Sequence, residues 1–167
     1  MTTKTTTGGA LRITTPSERE IVMTRVFRAP RRLVWDAHTK PELLQRWLLG
    51  PDGWSMPVCE MDLRVGGRYR WVWRRDGDGH EMATGGVFKE IVAPERLVST
   101  EAFEQPWYPG EGLNTIVLTE TGGLTTLTQT MRYETREIRD GVLRSGMESG
   151  VETSYRRLDR IFEKETA

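Results

Sequence analysis

Apolar positions along this chain follow two periods, and the points where one gives way to the other outline the fold. Over Arg68 to Arg75 the alternation is sharp: Tyr69, Trp71 and Trp73 fall on one side, Arg68, Arg70 and Arg74 mostly on the other. A period of two predicts a strand with one buried face. The same reading predicts strands over Glu20 to Arg28, Ser55 to Arg64, Glu81 to Ile91, Leu97 to Glu104, Leu113 to Glu120 and Leu124 to Tyr133. In the last hairpin Ile116, Leu118, Leu127 and Met131 share the buried face, and the alternation puts Asn114 and Gln129 on that side too. Gly85-Gly86 marks a bulge or a close approach of another backbone. Leu11 to Thr14 has the composition of a short edge strand, interrupted by Pro16.

From Thr135 to Glu165 the period lengthens. Leu143, Met147, Val151, Ser154, Leu158 and Ile161 recur at steps of three and four, which predicts one long amphipathic helix capped by Thr135. Beside its apolar face runs a stripe of small residues, Gly146, Gly150 and Ser154. A glycine inside a helix costs about 1 kcal/mol relative to alanine, so the stripe asks for something close by: another backbone, large rings or a ligand. Near the start, Pro30 opens a short helix over Arg31 to His38. Thr39-Lys40-Pro41-Glu42 reads as a capping box ahead of a second short helix through Leu43, Leu44 and Trp47. Strands joined by short turns imply an antiparallel sheet. The predicted architecture is therefore α+β: a curved antiparallel sheet of about six to seven strands with a long C-terminal helix on its concave face. Residues 1–17 read as a flexible tail and 18–165 as one domain.

Composition narrows the function classes. The 167 residues suffice for one domain with a real core. Zero net charge and a pI of about 6.8 provide no basic face for nucleic acid. No apolar run is long enough to span a membrane, and Met1 to Gly9 lacks the apolar core of a signal peptide; a cytoplasmic protein is expected. The one cysteine, Cys59, excludes an internal disulfide. No adjacent His or Lys lowers its pKa, so it reads as a buried inert thiol. His38 and His80 lack metal-ligand spacing, and there is no dinucleotide fingerprint or nucleophile elbow. Neither metal nor cofactor is expected.

Several phrases resemble a known family: Arg25-Val26-Phe27-Arg28-Ala29-Pro30, Pro41-Glu42-Leu43-Leu44-Gln45-Arg46-Trp47, Asp62-Leu63-Arg64-Val65-Gly66-Gly67-Arg68-Tyr69, Glu90-Ile91-Val92-Ala93-Pro94-Glu95-Arg96-Leu97, Trp107-Tyr108-Pro109-Gly110-Glu111 and Ser154-Tyr155-Arg156-Arg157-Leu158-Asp159. Their order and spacing resemble the heat-shock protein 90 ATPase activator homologue (AHSA-like) family of the START / Bet v 1-like (SRPBCC) superfamily, over roughly residues 18–163. Lys40 departs from the aspartate common in the family, and Thr39 is read as taking over the cap. The resemblance implies a helix-grip fold with a cavity between sheet and C-terminal helix. Superfamily relatives bind apolar molecules there, and some are cyclases or hydrolases. The chaperone activators carry a further N-terminal domain of which this chain shows no trace.

Candidate residues follow. Tyr69, Trp71 and Trp73 either line a pocket or fill the core opposite the small stripe; Met131, Met147, Gly150, Val151 and Ser154 would complete the wall. Asn114 and Gln129 would contact a ligand, water or each other. Glu101, in phase with Leu97, Ser99 and Phe103, is either an inward carboxyl with a raised pKa or an edge residue paired to an arginine. His38 caps its helix as a cation or reaches the cavity mouth. The hydroxyl of Tyr155 enters the cavity or bonds to a strand. Trp107, Tyr108 and Glu111 lid the entrance, close the sheet end or form a homodimer contact. Three functions stay open: binding of a small apolar or aromatic molecule; acid–base chemistry by Glu101, His38 or Tyr155 in a cyclase or hydrolase; and a chaperone-activating interaction module.

Overall fold

A computed structural model describes residues 9–166. Its strands are β1 (Arg12–Thr14), β2 (Glu20–Phe27), β3 (Trp54–Met61), β4 (Arg68–Arg75), β5 (Glu81–Val92), β6 (Arg96–Phe103), β7 (Gly112–Thr121) and β8 (Leu124–Arg132). The helices are α1 (Arg31–Thr39), α2 (Pro41–Trp47), α3 (Arg136–Arg144) and α4 (Met147–Thr166). All strands join one antiparallel sheet in the order β1-β2-β8-β7-β6-β5-β4-β3. Turns, and the longer 104–111 loop between β6 and β7, keep β3 to β8 in sequence order, and the excursion through α1 and α2 lets β2 pair with β8, setting Met23 opposite Gln129. Arg12–Thr14 is the edge strand its composition suggested; residues 1–8 of the predicted tail lie outside the described residues.

The alternation predicted for the strands is realised. Ile116, Leu118, Leu127 and Met131 are buried, and Arg70 and Arg74 pair outside with Glu104 and Glu81. Gly85-Gly86 is a site of close approach: a Cβ on Gly85 would lie 2.6 Å from the Tyr69 carbonyl, and one on Gly86 would collide with that of Thr100. Only residues without a side chain let three strands lie this near.

Three expectations are corrected. The predicted C-terminal helix is two helices. Gly146 adopts φ +81°, a left-handed conformation that glycine takes readily and that ends a helix; Ser145 closes α3 and α4 starts at Met147. Gly146 has open space around it, so it does not pack against the β4 rings. Gly150 does sit at a close approach, but to a loop: an added Cβ would lie 3.4 Å from Pro51 Cδ. Thr39 is no cap either. It is the last residue of α1, its hydroxyl donates back to the Trp35 carbonyl at 2.8 Å, and Lys40 precedes α2 without a side-chain cap. Thr135 caps α3 as expected, accepting from the Ile138 N–H at 3.1 Å.

The core is built where α1, α2 and α4 meet the sheet: Phe27, Val34, Leu44, Trp47, Leu127, Leu158 and Phe162. Each fully buried side chain of this size contributes about 1.5–3 kcal/mol. One member of β2's buried face is not apolar. Arg25 is only 4% exposed; its guanidinium donates to both carboxylate oxygens of Asp159 on α4, at 2.7 and 2.8 Å, and lies 4.9 Å from the centre of the Phe27 ring. A charge buried this deeply is tolerable only while paired. Asp159→Leu is therefore expected to destabilise the protein by about 3 kcal/mol. Arg25→Met combined with Asp159→Leu should recover most of that loss in a urea titration. Equal losses in the single and double variants would show that the pair does not act as a unit.

Candidate functional site

A cavity of about 440 Å³ lies between the concave face of the sheet, the first half of α4, the Leu48–Pro51 segment and the loop after β6, and is partly open to solvent. That volume is within the usual range for small-molecule sites. Tyr69, Trp71, Trp73, Asn114, Gln129, Met131, Met147, Gly150, Val151, Ser154 and Tyr155 all line it, as do His38, Glu101, Trp107 and Tyr108. Glu111 alone among the candidates is outside the lining; it is exposed, and its N–H donates to the Glu134 carboxylate at 3.0 Å.

The β4 rings are held as a wall. Tyr69 and Trp71 have centroids 4.7 Å apart, Trp71 and Trp73 6.1 Å. The Tyr69 hydroxyl donates to the Thr100 carbonyl at 2.6 Å and the Trp73 indole to the Leu48 carbonyl at 2.8 Å. Those bonds tie the outer rings to the frame. The buried Trp71 indole nitrogen has no partner.

On the sheet floor Gln129 Nε2 donates to Asn114 Oδ1 at 2.8 Å, and the Tyr155 hydroxyl donates to Gln129 Oε1 at 3.3 Å. The inward amides thus pair with each other and with the helix. Tyr155 in turn stacks on Trp47, 5.7 Å between centroids. Ser154 accepts from the Gly50 N–H at 2.9 Å, and Arg157 donates to the Gly50 carbonyl at 2.7 Å. These bonds bring the Gly50-Pro51 loop against α4.

The titratable groups differ by environment. His38 is buried, and burial pushes its pKa down from 6.5 to about 4. Its Nδ1 lies 2.8 Å from the Val34 carbonyl; a carbonyl only accepts, so Nδ1 carries the proton and Nε2 is left as an acceptor. The expected cationic cap is therefore corrected to a neutral imidazole, because burial outweighs the helix dipole. Glu101 faces the cavity, and burial pushes its carboxyl from 4.5 up to about 7, with the nearby Tyr108 hydroxyl opposing the shift. The residue as a whole is half-buried. The Tyr108 hydroxyl is buried and completes no hydrogen bond of good geometry. Burial also raises the Cys59 thiol to about 11, which keeps it protonated and inert. Among the described residues no group of three or more His, Cys, Asp or Glu gathers to hold a metal, and no helix is long and apolar enough to cross a membrane.

Sequence reasoning missed several lining residues. Tyr133 follows Met131 in the alternation and Phe103 shares the phase of Glu101, so periodicity points to both. Trp47, Leu48 and Pro51 had no such signal; they reach the cavity only because α2 and its loop fold onto α4.

The family model for Activator of Hsp90 ATPase homolog 1-like protein matches residues 28–163. Among solved structures, a protein from Rhodobacter sphaeroides is 31% identical, with 93% of this chain and 99% of that one covered and a TM-score of 0.88. A Nitrosomonas europaea protein is 28% identical, with 91% and 99% covered and a TM-score of 0.78. An AHSA1-like protein from Aeromonas hydrophila shares the fold at 17% identity, with 84% and 93% covered and a TM-score of 0.65. No curated protein matches the chain.

The two shifted groups dictate opposite pH dependences. His38 binds its proton less readily folded than unfolded, so its contribution is present above 6.5 and lost as pH falls toward 4. Glu101 binds its proton more readily folded, so stability falls as pH rises from 4.5 through about 7. Glu101→Gln is expected to raise the melting temperature at pH 8 more than at pH 5. His38→Gln should flatten the acid-side loss. Thermal melts at both pH values test this; a pH dependence unchanged by Glu101→Gln would place that carboxyl in bulk water.

Proposed function

The chain belongs to the Activator of Hsp90 ATPase homolog 1-like family, and on that premise we propose that it binds a small apolar or aromatic molecule in the cavity between sheet and α4. The family's Bet v 1-like fold is typical of ligand-binding domains. The observation that carries the reading is the cavity of about 440 Å³, walled by Tyr69, Trp71, Trp73, Met131, Met147 and Val151. Apolar walls bind chiefly by desolvation and dispersion. The Tyr155–Gln129–Asn114 chain offers polar contact on the floor, and Trp107, 45% exposed on the loop after β6, stands at the rim.

A second reading rests on the same interior: the Glu101 carboxyl beside the Tyr108 hydroxyl is an acid–base pair in one pocket. It would serve proton transfer on a cyclase- or hydrolase-type substrate once the molecule is bound. Binding is the first requirement of both readings.

The test is retention. Protein incubated with a lipid and polyketide extract should carry a small molecule through native mass spectrometry. Val151→Phe, which fills the cavity from α4, should retain at least about 10-fold less while melting at or above the wild-type temperature. Equal retention by Val151→Phe and wild type would put the ligand elsewhere; no retention by wild type would remove the binding reading.

A further inference from the structure

The end of the cavity around Glu101 has a composition that the rest lacks. Four rings gather there. Phe103, Trp107 and Tyr108 form a triangle, with centroids 5.8, 6.0 and 5.0 Å apart, and Tyr133 lies 5.6 Å from Tyr108. All four line the cavity. Phe103 is two residues beyond Glu101, on the same face of β6. Gly112 lies directly opposite Glu101 on β7 and places no side chain over the carboxyl. Among the described residues, Glu101 is the one formally charged side chain of the lining; no lysine or arginine lines the cavity with it, and His38 is neutral. The Tyr108 hydroxyl beside it is nine-tenths buried and unpartnered.

A carboxylate in an apolar cavity is costly without a counter-charge. Among the described residues, no lysine or arginine lines the cavity to supply one. The faces of aromatic rings carry negative potential and attract cations, most strongly where water is excluded. Rings and carboxylate therefore favour the same occupant, while an anion would meet uncompensated repulsion. From this convergence we infer that the Glu101 end of the cavity receives an organic cation: the apolar molecule proposed above carries an ammonium group, held by Glu101 among Phe103, Trp107, Tyr108 and Tyr133, with its apolar body along Trp71 and Trp73. The inference rests on the binding reading and narrows it. Acidic lipids are disfavoured; amines and quaternary ammonium compounds with a hydrophobic body are selected.

Three matched probes separate the terms: (naphthalen-1-ylmethyl)trimethylammonium, its neutral isostere 1-neopentylnaphthalene, and 1-naphthylacetate. Binding is followed by quenching of tryptophan fluorescence at pH 7.5 and low salt. The cation is expected to bind about 10-fold tighter than the isostere, and the anion weaker than both. Glu101→Gln should remove most of the preference for the cation and leave the isostere unchanged. Trp107→Ala, at an exposed position, should reduce the same preference with the carboxyl intact.

The quaternary ammonium does not titrate, so a fall in its preference between pH 8 and pH 6 reports on protonation of Glu101. The groups facing that carboxyl are Tyr69 from β4, Tyr108 from the loop and Tyr133 beyond β8, all kept neutral because burial raises their pKa values; Val142 of α3 and Met147 of α4 bring no charge to the lining. Equal binding of cation and isostere, or a preference that survives Glu101→Gln, would overturn the ammonium site and leave the binding reading standing. If none of the probes binds the wild-type protein, both readings fall.

Discussion

The buried ion pair between Arg25 and Asp159 determines where the last helix lies. An arginine on the inner face of β2 has no access to water, so α4 must bring it a carboxylate, and the two hydrogen bonds at 2.7 and 2.8 Å set both the height and the rotation of the helix. Leu158 and Phe162, on the same stretch of α4, then pack into the core beside Phe27. Ser154 and Arg157 meet the Gly50-Pro51 loop on another side. Anchored at both places, α4 cannot settle further onto the sheet.

The cavity is what that anchoring leaves over the other half of the sheet. The break at Gly146 separates α3 from α4, and the small side of α4 at Gly150 and Ser154 receives the loop. The rings of β4 do not collapse into the space, because Tyr69 and Trp73 are tied to backbone carbonyls at their polar ends. Most polar groups facing the interior are satisfied by one another, as in the Tyr155–Gln129–Asn114 chain. Among the described residues, three buried side-chain atoms are exceptions: the Trp71 indole and the Tyr108 hydroxyl, whose residues line the cavity, and Arg25 Nε, which lies in the core beside the Asp159 pair.

Much of this was legible in the chain. Alternation located the strands and put Asn114 and Gln129 on the inner face, since a strand's side chains can only point one way or the other; for Glu101 it left an edge position paired to an arginine open as well. The 3.6-residue period found α4 and the face it presents. Errors arose where local signals had two structural solutions. Thr39 fits a capping box, yet its hydroxyl closed onto its own helix. Gly146 fits a helical period, yet its freedom to adopt positive φ ended the helix. Arg25 is in the buried phase of β2, but no local signal marks an arginine there as buried, because its partner lies 134 residues away.

What the sequence by itself determined, then, is the set of elements and the face each one buries: both are encoded in periodicity over short windows, where the backbone geometry leaves few choices. Tertiary structure alone decided the distances between those faces. Periodicity marks Glu101, Tyr108 and Tyr133 as separate inward or loop positions. Only the register of β6, β7 and β8 and the return of the 104–111 loop bring them to one end of one cavity, with no lysine or arginine among the described residues that line it. The depressed pKa of His38 and the raised pKa of Glu101 belong to the same category, because both arise from desolvation, which depends on what every other element packs around them.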